Sequence, residues 1–127
     1  MTDLINNDLF QAYFGMIMFN LLLTIIVEVP LAFALGVRKM RDIRTVFLTN
    51  CVTNPTVVTI HFLMLHFGAE HATIWMTVIA TEIAVVLCEG LVYRKMLPRG
   101  RLNPYVLSLI LNACSYGAGF VLERLDL

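Results

Sequence analysis

The chain has 127 residues, of which 59% are hydrophobic and 14% charged, and its mean hydropathy is +0.81. A soluble domain would carry about 25% charged residues, so an ordinary soluble enzyme is excluded. Nine Lys and Arg balance nine Asp and Glu, and nothing in that balance supports nucleic-acid binding.

The missing charges are missing from four apolar stretches, at about 10–36, 45–67, 73–93 and 104–122. Each is near the roughly 20 residues a helix needs to cross the hydrocarbon layer. They are too long and too uniformly apolar for barrel strands, and in lipid only helices or closed barrels satisfy the backbone. The expected fold is all-α: a polytopic membrane four-helix bundle forming one transmembrane domain over 1–127. No basic segment precedes the first stretch and no small-residue cleavage site follows it, so no removed signal peptide is expected.

Span one carries Asn20, Thr24 and Glu28 four residues apart, and Gly36 ends it. The loop 37–44 then holds Arg38, Lys39, Arg41 and Arg44. Span two carries Asn50, Asn54 and His61, flanked by Thr49, Thr53 and Thr56. Pro55 removes a backbone hydrogen bond there and is expected to kink or break the helix near Asn54. Gly68 ends this span. Span three repeats threonine at Thr73, Thr77 and Thr81, then places Glu82 and, seven residues on, Glu89. The loop 94–101 holds Arg94, Lys95, Arg99 and Arg101, with Pro98 and Gly100 as breakers. Asn103-Pro104 reads as an N-cap with proline at the first helical position. Span four presents Ser108, Asn112, Ser115, Tyr116 and Gly119.

Basic loops mark the cytoplasmic side. Eight of the nine Lys and Arg lie in loops 37–44 and 94–101, so both loops are expected inside and both termini outside, in a multi-pass protein of the cell membrane. Asp3, Asp8, Glu70, Glu123 and Asp126 lie at the other end, with Arg124.

Each span thus has one polar stripe at helical spacing and an apolar remainder suited to lipid. A carboxylate near the bilayer centre costs roughly 2.5–3.5 kcal/mol and persists where it finds partners, water or a proton. Glu28 lies eight residues before Gly36 and Glu82 eight before Gly90. Asn50 is followed three residues later by Thr53, and Asn112 three later by Ser115. This pattern reads as two tandem repeats, 10–67 and 73–122, forming parallel hairpins. At about 1.5 Å per residue, Glu28 and Glu82 both lie roughly 12 Å from their helix ends, in one layer with the amides and hydroxyls. The expected ion- or proton-binding set is Glu28, Glu82, Asn50, Thr53, Asn54, Asn112 and Ser115. Oxygen ligands suit a hard cation, and a carboxyl that titrates near neutral pH binds and releases a proton. Glu89, next to Gly90, is expected at the cytoplasmic boundary in reach of water or arginine.

His61, His66 and His71 lack metal-site spacing, and Cys51, Cys88 and Cys114 are expected to be buried small hydrophobes. No phosphate-binding loop, nucleophile elbow or catalytic triad pattern occurs, so no enzyme activity and no cofactor are assigned. In size and helix count the chain resembles the small multidrug exporters and the small fluoride channels. Those tend to be antiparallel dimers with weak charge bias, whereas these basic loops fix one orientation, so neither family is assigned. The function expected is a small transporter or channel for a cation or protons, in the lipid bilayer as a homo-oligomer. The alternative is an accessory subunit held by its polar stripes to a partner membrane protein.

Overall fold

A computed structural model describes residues 2–98 and 102–125. Arg99, Gly100 and Arg101 of the second basic loop, and Asp126, lie outside the described residues. Four helices follow in order: α1 Thr2–Ala34, α2 Met40–His66, α3 His71–Met96 and α4 Pro104–Arg124. All four are long and apolar enough to cross a membrane. The all-α four-helix bundle is therefore as the hydropathy pattern implies, although α1 begins eight residues earlier than position 10 and α3 runs three past position 93.

The helix ends follow from local chemistry. Gly36 at φ 112° and Gly68 at φ 68° adopt the left-handed conformation that glycine reaches without strain. Each closes a Schellman turn: Val37 N–H donates to Ala32 O and Ala69 N–H to Met64 O, at 2.9 and 3.0 Å. At the start of α4 the Asn103 side chain accepts from Tyr105 N–H at 2.9 Å, with Pro104 at N1. Pro55 does not break α2, which is continuous through it, and α1 likewise continues through Pro30. The kink expected at Asn54 is thus not a break: proline removes one donor, while the rest of a long helix keeps its bonds.

The helices form a ring in which α1 packs on α2 and α4, and α3 packs on the same two. The backbones of the diagonal pairs do not come close among the described residues. The ring is polar inside and apolar outside. Thr24, Glu28, Asn50, Glu89, Ser108 and Asn112 are buried, while Phe19, Ile26, Val52, Ile79, Leu87 and Leu109 are exposed. That inversion suits lipid, which offers apolar side chains the same environment as a protein core. An apolar cluster of Ala32, Val46, Tyr93, Leu107 and Leu111 closes the bundle toward the basic loops. Cys88 and Cys114 are exposed on the outer surface and Cys51 is half-buried, which corrects the expectation that all three are buried.

Candidate functional site: a buried carboxyl pair

The polar stripes converge on two carboxyl groups. Glu28 on α1 and Glu89 on α3 are both fully buried, and Glu89 is close enough for its charge to act on Glu28. Ser115 Oγ on α4 donates to Glu28 Oε1 at 2.7 Å. Thr53 Oγ1 on α2 donates to Glu89 Oε1 at 2.6 Å. Asn112 Nδ2 donates to Glu89 Oε2 at 2.6 Å and to the Ser108 carbonyl at 2.9 Å. The two carboxyls are thus held by side chains of α2 and α4, Ser115 serving Glu28, and Thr53 and Asn112 serving Glu89.

The location of Glu89 corrects the expectation that it reaches water or arginine. Because α3 extends to Met96, Glu89 stands seven residues, roughly 10 Å, inside the helix end. Gly90 beside it gives α4 room to close: a Cβ there would lie 2.3 Å from the Tyr105 ring. Glu82 takes the other course. It is half-buried and borders a groove of about 300 Å³ between α3 and α4, with Ile83, Val86, Leu109, Ala113 and Tyr116. The layer deduced from spacing thus gains Glu89, and Glu82 stays near enough for its charge to act on Glu28 and for that of Glu89 to act on it.

The other expected site residues lie around the pair. Asn50 is buried and donates to the Val46 carbonyl at 3.0 Å. Asn54 Nδ2 donates to Thr24 Oγ1, one turn before Glu28, at 2.8 Å. Farther along, His61 Nε2 and Thr81 Oγ1 pair at 3.2 Å across α2 and α3. Three buried polar atoms have no partner among the described residues: Glu28 Oε2, Asn54 Oδ1 and the Tyr93 hydroxyl. No group of three His, Cys, Asp or Glu placed to hold a metal occurs among the described residues.

No family model matches the chain, and no curated protein or solved structure matches it. The chemistry is therefore read from this geometry alone.

Two features went unread in the sequence. The first is Tyr93, which is fully buried and near enough to feel the charge of both carboxyls. It borders a cavity of about 970 Å³ at the end carrying Arg38, Asp42 and Arg94, and so stands between that cavity and the pair. Its signal was present: Tyr93 follows Glu89 by four residues and shares its helix face. The second is that each carboxyl-binding hydroxyl has another acceptor on its own helix. Thr53 lies 3.0 Å from the Thr49 carbonyl, and Ser115 lies 3.1 Å from the Asn112 carbonyl.

Proposed function

We propose that this protein is a small membrane transporter or channel for a cation or protons, with Glu28 and Glu89 as the proton-carrying pair. The hydroxyl arrangement carries the reading. A hydroxyl has one hydrogen to donate and lone pairs to accept with. When Glu89 is ionised, Thr53 donates to it. When Glu89 is protonated at Oε1, the acid donates to Thr53, whose hydrogen turns to the Thr49 carbonyl. Ser115 offers Glu28 the same two states through the Asn112 carbonyl. Both protonation states are thus accommodated at Oε1 of each carboxyl by turning a hydroxyl, while Glu28 Oε2 keeps no protein partner.

The unpartnered Glu28 Oε2 and Asn54 Oδ1 add support. Both are acceptors, and together with Asn50 they suit a proton donor, a water or a hard cation. Pro55 leaves the Cys51 carbonyl, one turn earlier on α2, without its usual donor. Glu82 makes no hydrogen bond to this set among the described residues, but its charge acts on Glu28 and that of Glu89 acts on it.

The hydrogen bonds also favour an internal repeat in a revised register, with Glu89 as the counterpart of Glu28. Asn50 follows Glu28 by 22 residues and Asn112 follows Glu89 by 23. Thr53 and Ser115 each stand three residues beyond their asparagine, and each serves the carboxyl of the other hairpin. Such an exchange suits a pseudo-two-fold axis along the membrane normal. Charge bias orients the chain with loops 37–44 and 94–101 in the cytoplasm of a cell-membrane protein.

The test is flux in proteoliposomes under an imposed pH gradient and with common mono- and divalent cations. Wild-type protein is expected to conduct, and Glu28→Gln or Glu89→Gln to abolish conduction while folding normally. Full activity of the double Gln variant sinks the carboxyl mechanism. A second reading, an accessory subunit held by its polar stripes, predicts that the double Gln variant keeps its cellular role.

A further inference from the structure

One layer of side chains separates the carboxyl pair from the basic-loop end. Ala32 lies four residues beyond Glu28, Tyr93 four beyond Glu89, Val46 four before Asn50 and Leu111 four before Ser115. Each is thus one helical turn, roughly 5.4 Å, from a residue of the carboxyl layer, on the side of the basic loops. With Leu107 they form the buried apolar cluster, none of it more than 6% exposed. Beyond it lies the cavity of about 970 Å³ bordered by Arg38, Asp42 and Arg94, roomy for water at about 30 Å³ a molecule. The Tyr93 hydroxyl is the one polar side-chain group in the cluster. Ser108, buried one turn before Asn112, gives its hydrogen to the Val86 carbonyl at 3.0 Å. The Tyr93 hydroxyl is buried with no partner among the described residues, and so is Glu28 Oε2. One is a donor and the other an acceptor, and Tyr93 is near enough to feel the charge of Glu28 and Glu89. Buried polar groups are satisfied by protein or by ordered water, and a single water between these two satisfies both.

We infer that the Tyr93 hydroxyl is the proton relay between the cavity and the carboxyl pair, so that the species carried is a proton and not a metal cation. This rests on the transport reading above and narrows it. A phenol hydroxyl accepts on a lone pair while it donates its own hydrogen. A proton from water in the cavity bonds to the Tyr93 oxygen as the hydroxyl's own hydrogen leaves, through the bridging water, for Glu28. One O–H bond forms and one breaks at each oxygen on the way, and the single positive charge ends by neutralising a carboxylate. A turn of the hydroxyl resets the relay. A metal ion finds no such route. Hard cations take about six oxygen ligands or more, and the smaller ones give up water reluctantly. The layer offers one hydroxyl oxygen among Ala, Val and Leu side chains, and an ion left there without ligands is strongly disfavoured.

The test uses the full chain in proteoliposomes, driven in turn by a pH gradient and by gradients of Na+, K+ and Mg2+ at equal pH. Wild type is expected to carry protons and none of the three metal ions. Tyr93→Phe keeps the ring in the apolar layer and removes only the hydroxyl. It should lower proton flux by roughly a hundredfold, the lower end of what a positioned proton-transfer group contributes, with no loss of thermal stability in detergent. Tyr105→Phe alters a second tyrosine that borders the cavity but lies outside the cluster, and it should keep its flux. Wild-type flux in Tyr93→Phe while Glu28→Gln is inactive overturns the relay and leaves the carboxyl reading standing. Loss of flux in Tyr105→Phe but not in Tyr93→Phe assigns the relay to the wrong tyrosine and overturns it too. Carriage of Na+, K+ or Mg2+ by wild type overturns the proton assignment. A wild type that carries nothing overturns the transport reading, and the relay with it.

Discussion

Replacing Thr53 by Val removes a hydroxyl while nearly keeping the shape, so the lost hydrogen bond dominates the outcome. The Thr53–Glu89 bond is 2.6 Å long, within the 2.5–2.7 Å of charge-assisted O–H···O bonds. Hydrogen bonds between membrane helices average about 0.6 kcal/mol and reach about 1.7. A short bond to a fully buried carboxyl belongs in the upper part of that range, so a loss of about 1–1.7 kcal/mol is expected. Asn112 still donates to Glu89 Oε2, which limits the damage and lets the variant fold. The assay is unfolding in mixed micelles of wild type, Thr53→Val, Glu89→Leu, which removes the acceptor, and the double variant. The coupling energy from that cycle isolates the pair. Proton flux in proteoliposomes should fall about tenfold in Thr53→Val, the factor that about 1.4 kcal/mol represents. Thr53→Ser keeps the hydroxyl and should retain most of the flux. A Ser variant as impaired as Val, or a Val variant with wild-type stability and flux, would refute the hydroxyl mechanism.

Ser115→Ala should mirror Thr53→Val at the other carboxyl, lowering flux with a stability loss of about 0.6–1.7 kcal/mol in the same micelle assay. Gly90→Ala forces a Cβ to 2.3 Å from the Tyr105 ring, and overpacking of this kind costs about 1–3 kcal/mol; thermal unfolding in detergent should show it, and an unchanged transition would mean that Tyr105 swings aside freely. Tyr93→Phe deletes a buried hydroxyl without a partner, so it should be neutral or stabilising by up to about 1 kcal/mol; clear destabilisation would reveal a bond partner for that hydroxyl. For orientation, Met40→Cys should react with an impermeant thiol reagent from the cytoplasm and Glu70→Cys from outside, and labelling of both from one side would reject the charge-bias topology.

The bundle was legible because hydropathy and helix length impose it, and because Gly36, Gly68 and Asn103-Pro104 carry unambiguous turn chemistry. The polar interior was legible from the four-residue spacing of Asn20, Thr24 and Glu28 and its equivalents. The burial of Glu89 was not. It depends on where α3 ends, and helix ends are poorly fixed by hydropathy when Tyr93 and the basic residues after it still allow helix. Three more residues of α3 move Glu89 from the boundary into the interior. Seven residues are 700° of helical rotation, which leaves Glu82 and Glu89 within about 20° of one face, so rotation alone does not separate them. What separates them is Gly90, whose missing side chain admits the Tyr105 ring and lets α4 close beside Glu89. A contact between residues 15 positions apart in sequence leaves no periodic trace.

The crosswise bonding has a consequence for how the chain is assembled. The hydroxyl that serves Glu28 is 87 residues downstream, and the one that serves Glu89 belongs to the hairpin made before it. When α1 and α2 have entered the membrane, Glu28 has no hydroxyl donor until α4 arrives. Neither half is therefore a finished unit. Cut in the loop at Glu70 and expressed as two pieces, the halves should accumulate only together, each acting as the other's missing part during biogenesis.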